Sequence, residues 1–163
     1  MKVAIYPGTF DPITYGHLDV LERACRLFDH IVITVAKNPA KSPVFSAAER
    51  MELIREAVSH LNGDGKISIE TFDGLIVNYA REKKARAIIR GLRAISDFEY
   101  ELQMALVNRR LNADVSTVFL MPHEKYTYLN SSIVRELASL GGNISNFVPP
   151  IVEERLLAKF KRK

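Results

Sequence analysis

The chain has 163 residues, 47% of them hydrophobic and 26% charged, with a formal net charge of +4 and one cysteine. That length suits one compact domain able to bury a core without covalent staples. A single cysteine excludes an internal disulfide and fits a reducing, cytoplasmic setting, and the N-terminal run VAIYPG is too short for a signal peptide or a membrane span.

The first strand is expected at Lys2–Tyr6, and the stretch PGTFDPITYGH leads from it into a helix over His17–Phe28. A second strand, Ile31–Ala36, is followed by KNPAKSP, with Lys37 and Lys41, and then by a helix over Ala47–His60. Ser46 and Glu49 stand at capping-box spacing before that helix. The third strand, Lys66–Phe72, precedes a helix over Leu75–Lys84, and the fourth, Ala87–Arg90, runs into Gly91-Leu92-Arg93 and a helix over Asp97–Asn112. The fifth strand, Thr117–Met121, gives way to PHEKYTYLNSS and two last helices, Ser132–Leu140 and Pro150–Lys161. The strands are continuous and β-branched rather than alternating, as buried parallel strands are. Five β–α alternations without an internal repeat or linker predict a single-domain α/β fold: a doubly wound, parallel, five-stranded sheet.

Two features of this layout have more than one reading. The Asp97–Asn112 helix is apolar on two sides, with Phe98, Leu102 and Ala105 on one and Tyr100, Met104, Val107 and Leu111 on another. Subunit contact and a central core position both fit that pattern. The positive charge is concentrated at Lys159, Lys161, Arg162 and Lys163, and the other 19 basic residues balance 19 acidic ones. A solvated helix end explains the tail better than a nucleic-acid partner does.

Ligands of open α/β sheets bind beyond the carboxyl ends of the strands. That edge gathers Lys37, Lys41, Arg90, Arg93, a lysine near the fifth strand, His17, several hydroxyls and at least two helix N-termini. Such a set suits a ligand with more than one phosphate. Neither GxGxxG nor a P-loop is present, and no HExxH, CxxC, carboxylate cluster or GxSxG elbow supplies a metal site or a nucleophile. Cys25 falls on an apolar helical stripe with Leu18, Leu21 and Phe28, as a core thiol would. What is left is a donor-rich site for transfer between two bound phosphorylated partners, working by positioning and charge stabilisation. His17 is the candidate donor to developing negative charge. Gly8 and Gly16 read as turn glycines requiring positive φ. Arg90 and Arg93 read as a phosphate clamp, with ion pairing to Asp97 or Glu101 as the alternative.

Thr14-Tyr15-Gly16-His17 resembles the His/Thr-x-Gly-His signature of the nucleotidyltransferase superfamily, which has a Rossmann-like fold. Lys41, the block IRGLRAISDFEYE over Ile89–Glu101 and FLMP over Phe119–Pro122 narrow the resemblance to the bacterial phosphopantetheine adenylyltransferase family, over the whole chain. The resemblance implies transfer of the adenylyl group of ATP to 4'-phosphopantetheine, giving dephospho-coenzyme A and pyrophosphate, with Mg2+ carried mainly on the phosphates and no metal held by the protein. It implies His17 as the catalytic residue at the α-phosphate, and Thr9, Phe10, Gly91, Leu92, Arg93, Glu101 and the loop Tyr126, Thr127, Tyr128, Leu129, Asn130, Ser131 and Ser132 as the ATP site. Thr9, Lys41, Leu75, Ile76 and Arg90 would bind phosphopantetheine, and the assembly would be a homohexamer, with no nucleic acid or membrane partner. One departure stands out: the family loop reads Ile-Ser-Ser-Ser/Thr where this chain has Leu129-Asn130-Ser131-Ser132. The rival readings are another nucleotidyltransferase, acting on nicotinamide mononucleotide or on glycerol or choline phosphate, and a non-catalytic nucleotide-binding protein.

Overall fold

A computed structural model describes residues 1–37, 42–93 and 95–161. Five strands, β1 (Val3–Gly8), β2 (His30–Ala36), β3 (Ile67–Phe72), β4 (Ala87–Gly91) and β5 (Ser116–Leu120), form one parallel sheet in the order β3-β2-β1-β4-β5. Chain order runs outward from β1 through β2 to β3, then returns to the other side of β1 for β4 and β5. The topological switch therefore lies between β1 and β4, where doubly wound folds open a crevice for ligands.

Register shows how the crevice opens. β1 pairs with β2 over six positions, from Val3↔His30 to Gly8↔Val35, but with β4 only at Ala4↔Ala87 and Ile5↔Ile88. Beyond Ile5 the two central strands part. Pro7, which has no N–H to give a ladder, sits in the parted stretch, where that lack costs little. β1 is therefore two residues longer at its carboxyl end than the sequence pattern predicts.

Among the described residues six α-helices connect and cover the strands: α1 (Tyr15–Cys25), α2 (Ala47–Val58), α3 (Ile76–Glu82), α4 (Ile95–Leu111), α5 (Ser131–Ser139) and α6 (Pro150–Lys161). α1 starts two residues earlier than expected and ends three earlier, and α2 tightens into a 3-10 turn at Ser59–Leu61. Alternate strand residues feed two cores. Ala4, Tyr6, Ile31, Ile33, Val35 and Ile89 pack with α1, α2, α5 and α6, whereas Val3, Ile5, Val32 and Ile88 meet α3 through Val77 and Ala80. The second core is the smaller, and α4 leaves Tyr100, Leu106, Val107 and Leu111 about half exposed or more. Of the two readings of that helix, a central core position is thereby removed. Cys25 is partly buried at the end of α1, and burial pushes its thiol pKa up, which keeps it protonated.

Candidate active site

Helix α1 begins with a reciprocal cap. Thr14 is the N-cap; its hydroxyl accepts from the His17 N–H (3.4 Å), and its own N–H donates to His17 Nδ1 (3.0 Å). The usual capping box places Glu or Gln at the third helical position, and here an imidazole takes that place. A backbone N–H can only donate, so Nδ1 is an acceptor and the neutral ring carries its proton on Nε2. Burial first, then the positive charges of Arg93 and Arg90, lower the His17 pKa from 6.5 to about 3. The ring is therefore a neutral donor at physiological pH, held at one face by its own helix start.

Phe10 sits behind that ring. Its side chain is buried, 5.0 Å from the His17 centroid and 5.4 Å, edge-on, from Tyr6. The glycines of the loop do other work than expected. Among the described residues positive φ falls on Gly65, Gly74, Lys84 and Gly141, and in this loop on Phe10 (50°), not on Gly8 or Gly16. Gly8 is required for space, because a Cβ there would lie 3.0 Å from the Phe10 ring. Gly16 is less constrained: a Cβ would come no nearer than 3.4 Å, to the Thr14 hydroxyl.

Asp11 braces the loop. Its carboxylate accepts from the N–H groups of Val44 and Phe45, each at 2.9 Å, tying the loop to the start of α2. The guanidinium of Arg50, itself buried, donates to the carbonyls of Thr9 (2.8 Å), Ala36 (3.0 Å) and Phe45 (3.2 Å). Arg135 of α5 donates to the Asp11 carbonyl (2.6 Å) and to Ser132 Oγ (3.2 Å). Sequence reasoning missed both arginines. Each one binds carbonyls or a hydroxyl within the loops, and no local pattern marks that role.

At the end of β4, Arg90 fills the split between the central strands. Its guanidinium donates to Pro7 O (3.1 Å) and forms a two-pronged pair with Glu101 of α4 (2.8 and 2.6 Å). Glu101 is thus the orienting partner of Arg90, so the ion-pair reading holds for this residue within the site itself. Arg93 reaches across the crevice toward Leu129 O (3.4 Å). Leu92 donates its N–H to Leu120 O, closing β4 onto β5.

The unusual Asn130 has a defined job: it is the N-cap of α5, its side-chain oxygen accepting from the Ile133 N–H (2.9 Å). Ser131 donates to Pro12 O (2.8 Å), which fastens this helix start to the β1–α1 loop. Tyr126, Thr127 and Tyr128 are turned to other partners. Tyr126 packs near Tyr15, Thr127 donates to Glu124 O, and exposed Tyr128 meets Phe147 edge-on.

Two clefts result. The larger, about 460 Å³, is lined by Thr9, Phe10, His17, Gly91, Arg93, Leu129, Asn130, Ser131 and Ser132, together with Arg135. The smaller, about 290 Å³, is mostly apolar, with Phe72, Ile76, Ile88, Met104 and Ala105 around Glu101. Pro7, Gly8, Thr9 and Arg90 line both. Glu101, expected on the nucleotide side, lies on the smaller cleft. Leu75 is exposed and lines neither, and Lys41 lies outside the described residues. Met104, Tyr100 and Asn108 of α4 join the smaller cleft without having been anticipated.

A family model described as cytidylyltransferase-like matches residues 5–137. A phosphopantetheine adenylyltransferase of Caldanaerobacter subterraneus subsp. tengcongensis is 54% identical over 99% of this chain and 99% of its own, and one of Thermodesulfovibrio yellowstonii is 52% identical with the same coverage. The solved structure of Plasmodium falciparum nicotinic acid mononucleotide adenylyltransferase, complexed with NaAD, superposes with a TM-score of 0.69 at 15% identity, over 99% of this chain and 95% of that one. At that identity the likeness is one of fold.

Proposed function

Because the chain belongs to the phosphopantetheine adenylyltransferase family, within the cytidylyltransferase-like nucleotidyltransferases, we propose that it transfers the adenylyl group of ATP to 4'-phosphopantetheine, giving dephospho-coenzyme A and pyrophosphate. The observation that carries this reading is the pair of clefts meeting at Thr9 and Arg90. A cleft lined by Arg90, Arg93, Arg135 and a helix start suits a nucleoside triphosphate, and the more apolar one suits the pantetheine arm. Their shared wall is where two phosphates would face each other.

The acceptor phosphate attacks the α-phosphorus of ATP in line. The bond from that phosphorus to the bridging oxygen breaks, and pyrophosphate leaves with the electron pair. A phosphate is already anionic near neutral pH, so no general base is needed. His17 presents Nε2–H to a non-bridging α-phosphate oxygen as charge builds there, and Arg90, oriented by Glu101, holds the acceptor phosphate. We expect Mg2+ to accompany ATP, neutralising charge on the triphosphate. The Asp11 and Glu101 carboxylates are committed to N–H groups and to Arg90, which favours a metal held by phosphate oxygens.

The exposed apolar side of α4 supports self-association, and the homohexamer is the assembly we propose. A cytoplasmic setting accords with the single cysteine; no described helix is long and apolar enough to cross a membrane. The decisive assay is pyrophosphate release from ATP with 4'-phosphopantetheine, compared with nicotinamide mononucleotide and glycerol or choline phosphate as acceptors. Turnover with one of those and none with 4'-phosphopantetheine overturns the assignment.

A further inference from the structure

Tyr6, on β1, belongs to the larger of the two cores and is only 5% exposed. Its ring stands edge-on to Phe10, and its hydroxyl reaches on to the end of β4, where it would lie 4.0 Å from a Cβ at Gly91. A phenylalanine would fill the same space, so what the tyrosine adds is one hydroxyl. Among the described residues that hydroxyl has no hydrogen-bond partner, whereas the hydroxyl of Tyr79 donates to Glu70 at 2.8 Å. Fully buried side-chain nitrogens and oxygens among the described residues all have partners. The Tyr6 hydroxyl is therefore not sealed in: it opens onto the larger cleft, which Tyr6 lines with His17, Arg90, Gly91 and Arg93. It takes no part in the smaller cleft.

An open, partnerless hydroxyl on the floor of a cleft calls for a ligand atom. Burial raises the Tyr6 pKa, against an opposing pull from the charges of Arg90 and Arg93, so the phenol keeps its proton and can donate. The same two charges act on the His17 ring. The guanidiniums can only donate, and His17, with Nδ1 already taken by the Thr14 N–H, offers the cleft only Nε2–H. A group that satisfies these donors together must be an anion with several acceptor oxygens, as a phosphoryl group is. Because Tyr6 faces the larger cleft alone while Arg90 lines both, that phosphoryl group belongs to the nucleotide at its reacting end.

Resting on the adenylyl-transfer reading, we propose that Tyr6 is a further catalytic residue, its hydroxyl donating to a non-bridging oxygen of the nucleotide's α-phosphoryl group from the floor of the cleft. The acceptor oxygen forms its bond to the α-phosphorus, and pyrophosphate leaves with the electron pair of the bond that breaks. Charge on the non-bridging oxygens is held by Tyr6 and His17, and neither gives up its proton. Packing against Phe10 fixes the phenol ring before the nucleotide arrives, so little side-chain entropy is lost on binding. The partnerless hydroxyl costs the empty fold some stability, and the bound phosphoryl group removes that cost.

Tyr6→Phe removes the hydroxyl and leaves the ring against Phe10. Urea unfolding of the full chain should find this variant at least as stable as wild type, since a polar group without a partner is gone. Its kcat/KM for ATP should nevertheless fall about ten- to a hundredfold, the scale of a lost hydrogen bond to a charged group. Calorimetric titration should show AMP binding weakened about fivefold or more, while adenosine, which has no phosphoryl group, stays within about twofold. A wild-type kcat/KM, AMP and adenosine affected alike, or a urea midpoint below that of wild type overturns the proposal. The titrations need no acceptor, so a failure of the phosphopantetheine assignment would show separately, in the acceptor assay.

Discussion

The N–H of Thr14 donates to Nδ1 of His17 across 3.0 Å, while the His17 N–H returns a bond to the Thr14 hydroxyl. One exchange both caps helix α1 and fixes which nitrogen of the imidazole bears the proton. The spacing Thr-x-Gly-His is thus the spacing of an N-cap to its third helical residue. In the proposed reaction, catalytic aim and helix initiation depend on the same four residues.

Replacing His17 by Ala should lower kcat by about 10²–10³, the cost of one lost donor to a developing oxyanion, with KM for ATP changing far less. His17→Gln should restore some capping without restoring kcat, because a side-chain amide can accept from the Thr14 N–H but cannot present Nε2–H at the same place. Steady-state kinetics on both variants check this. A near-normal kcat in either one would remove His17 from the chemistry.

The His17 pKa near 3 has a consequence for stability. Between about 3 and 6.5 the unfolded ring takes up a proton that the native ring does not. The unfolded state then binds more protons, so stability rises with pH through this window and falls as pH drops below about 6.5. The stability difference between wild type and His17→Gln, from urea unfolding at several pH values, should change by up to about 1.4 kcal/mol per pH unit within it. Parallel curves would mean that the ring titrates normally in the fold.

Glu101→Gln tests the orienting pair. Arg90 would keep Pro7 O but lose its two-pronged anionic partner in a part-buried place. A loss of about 1–3 kcal/mol of stability is expected, with KM for 4'-phosphopantetheine rising more than KM for ATP. The reverse ordering of the two KM effects would place Arg90 on the nucleotide.

Much of this was readable from the sequence because the information is local. All five strands, the Ser46–Glu49 capping box and His17 follow from residues within a few positions of one another. What escaped is held by contacts at long range. Arg50 reaches Thr9 41 positions away, and Arg135 reaches Asp11 124 positions away. Their partners are carbonyls, which every residue has, so the pattern carries no mark of them. The glycines misled for a related reason. Small size and positive φ leave the same letter in the chain, and only the position of the Phe10 ring shows that Gly8 is there for space.

That distinction predicts opposite outcomes for two similar substitutions. Gly8→Ala would set a methyl 3.0 Å from the Phe10 ring, which is packed between Tyr6 and His17 and has little room to yield. About 1–3 kcal/mol of destabilisation is expected, with kcat falling as the His17 ring is displaced. Gly16→Ala meets ordinary contacts and gains helix propensity, so its melting temperature should stay close to wild type. Thermal melts of the two variants side by side decide between space and backbone conformation. Equal losses would return both glycines to a shared role.

Arg50 offers the sharpest test of how the two clefts are held in register. Its guanidinium is buried and joins the loop after β1, the end of β2 and the start of α2 through three carbonyls. Arg50→Met fills similar volume but leaves those carbonyls without their donor and the Asp11 carboxylate with one cation fewer, at a cost of about 3 kcal/mol or more. Thr9 lines both clefts, so a loop released at Thr9 O should raise KM for both substrates together. This differs from Glu101→Gln, where one substrate suffers more. Arg50→Lys should recover some stability but little of the KM effect, since one ammonium cannot reach three carbonyls with the geometry of a planar fork. Denaturant unfolding paired with kinetics well below the melting temperature separates the two effects. A variant that loses stability yet keeps both KM values would show that Thr9 is positioned by the strand ends alone.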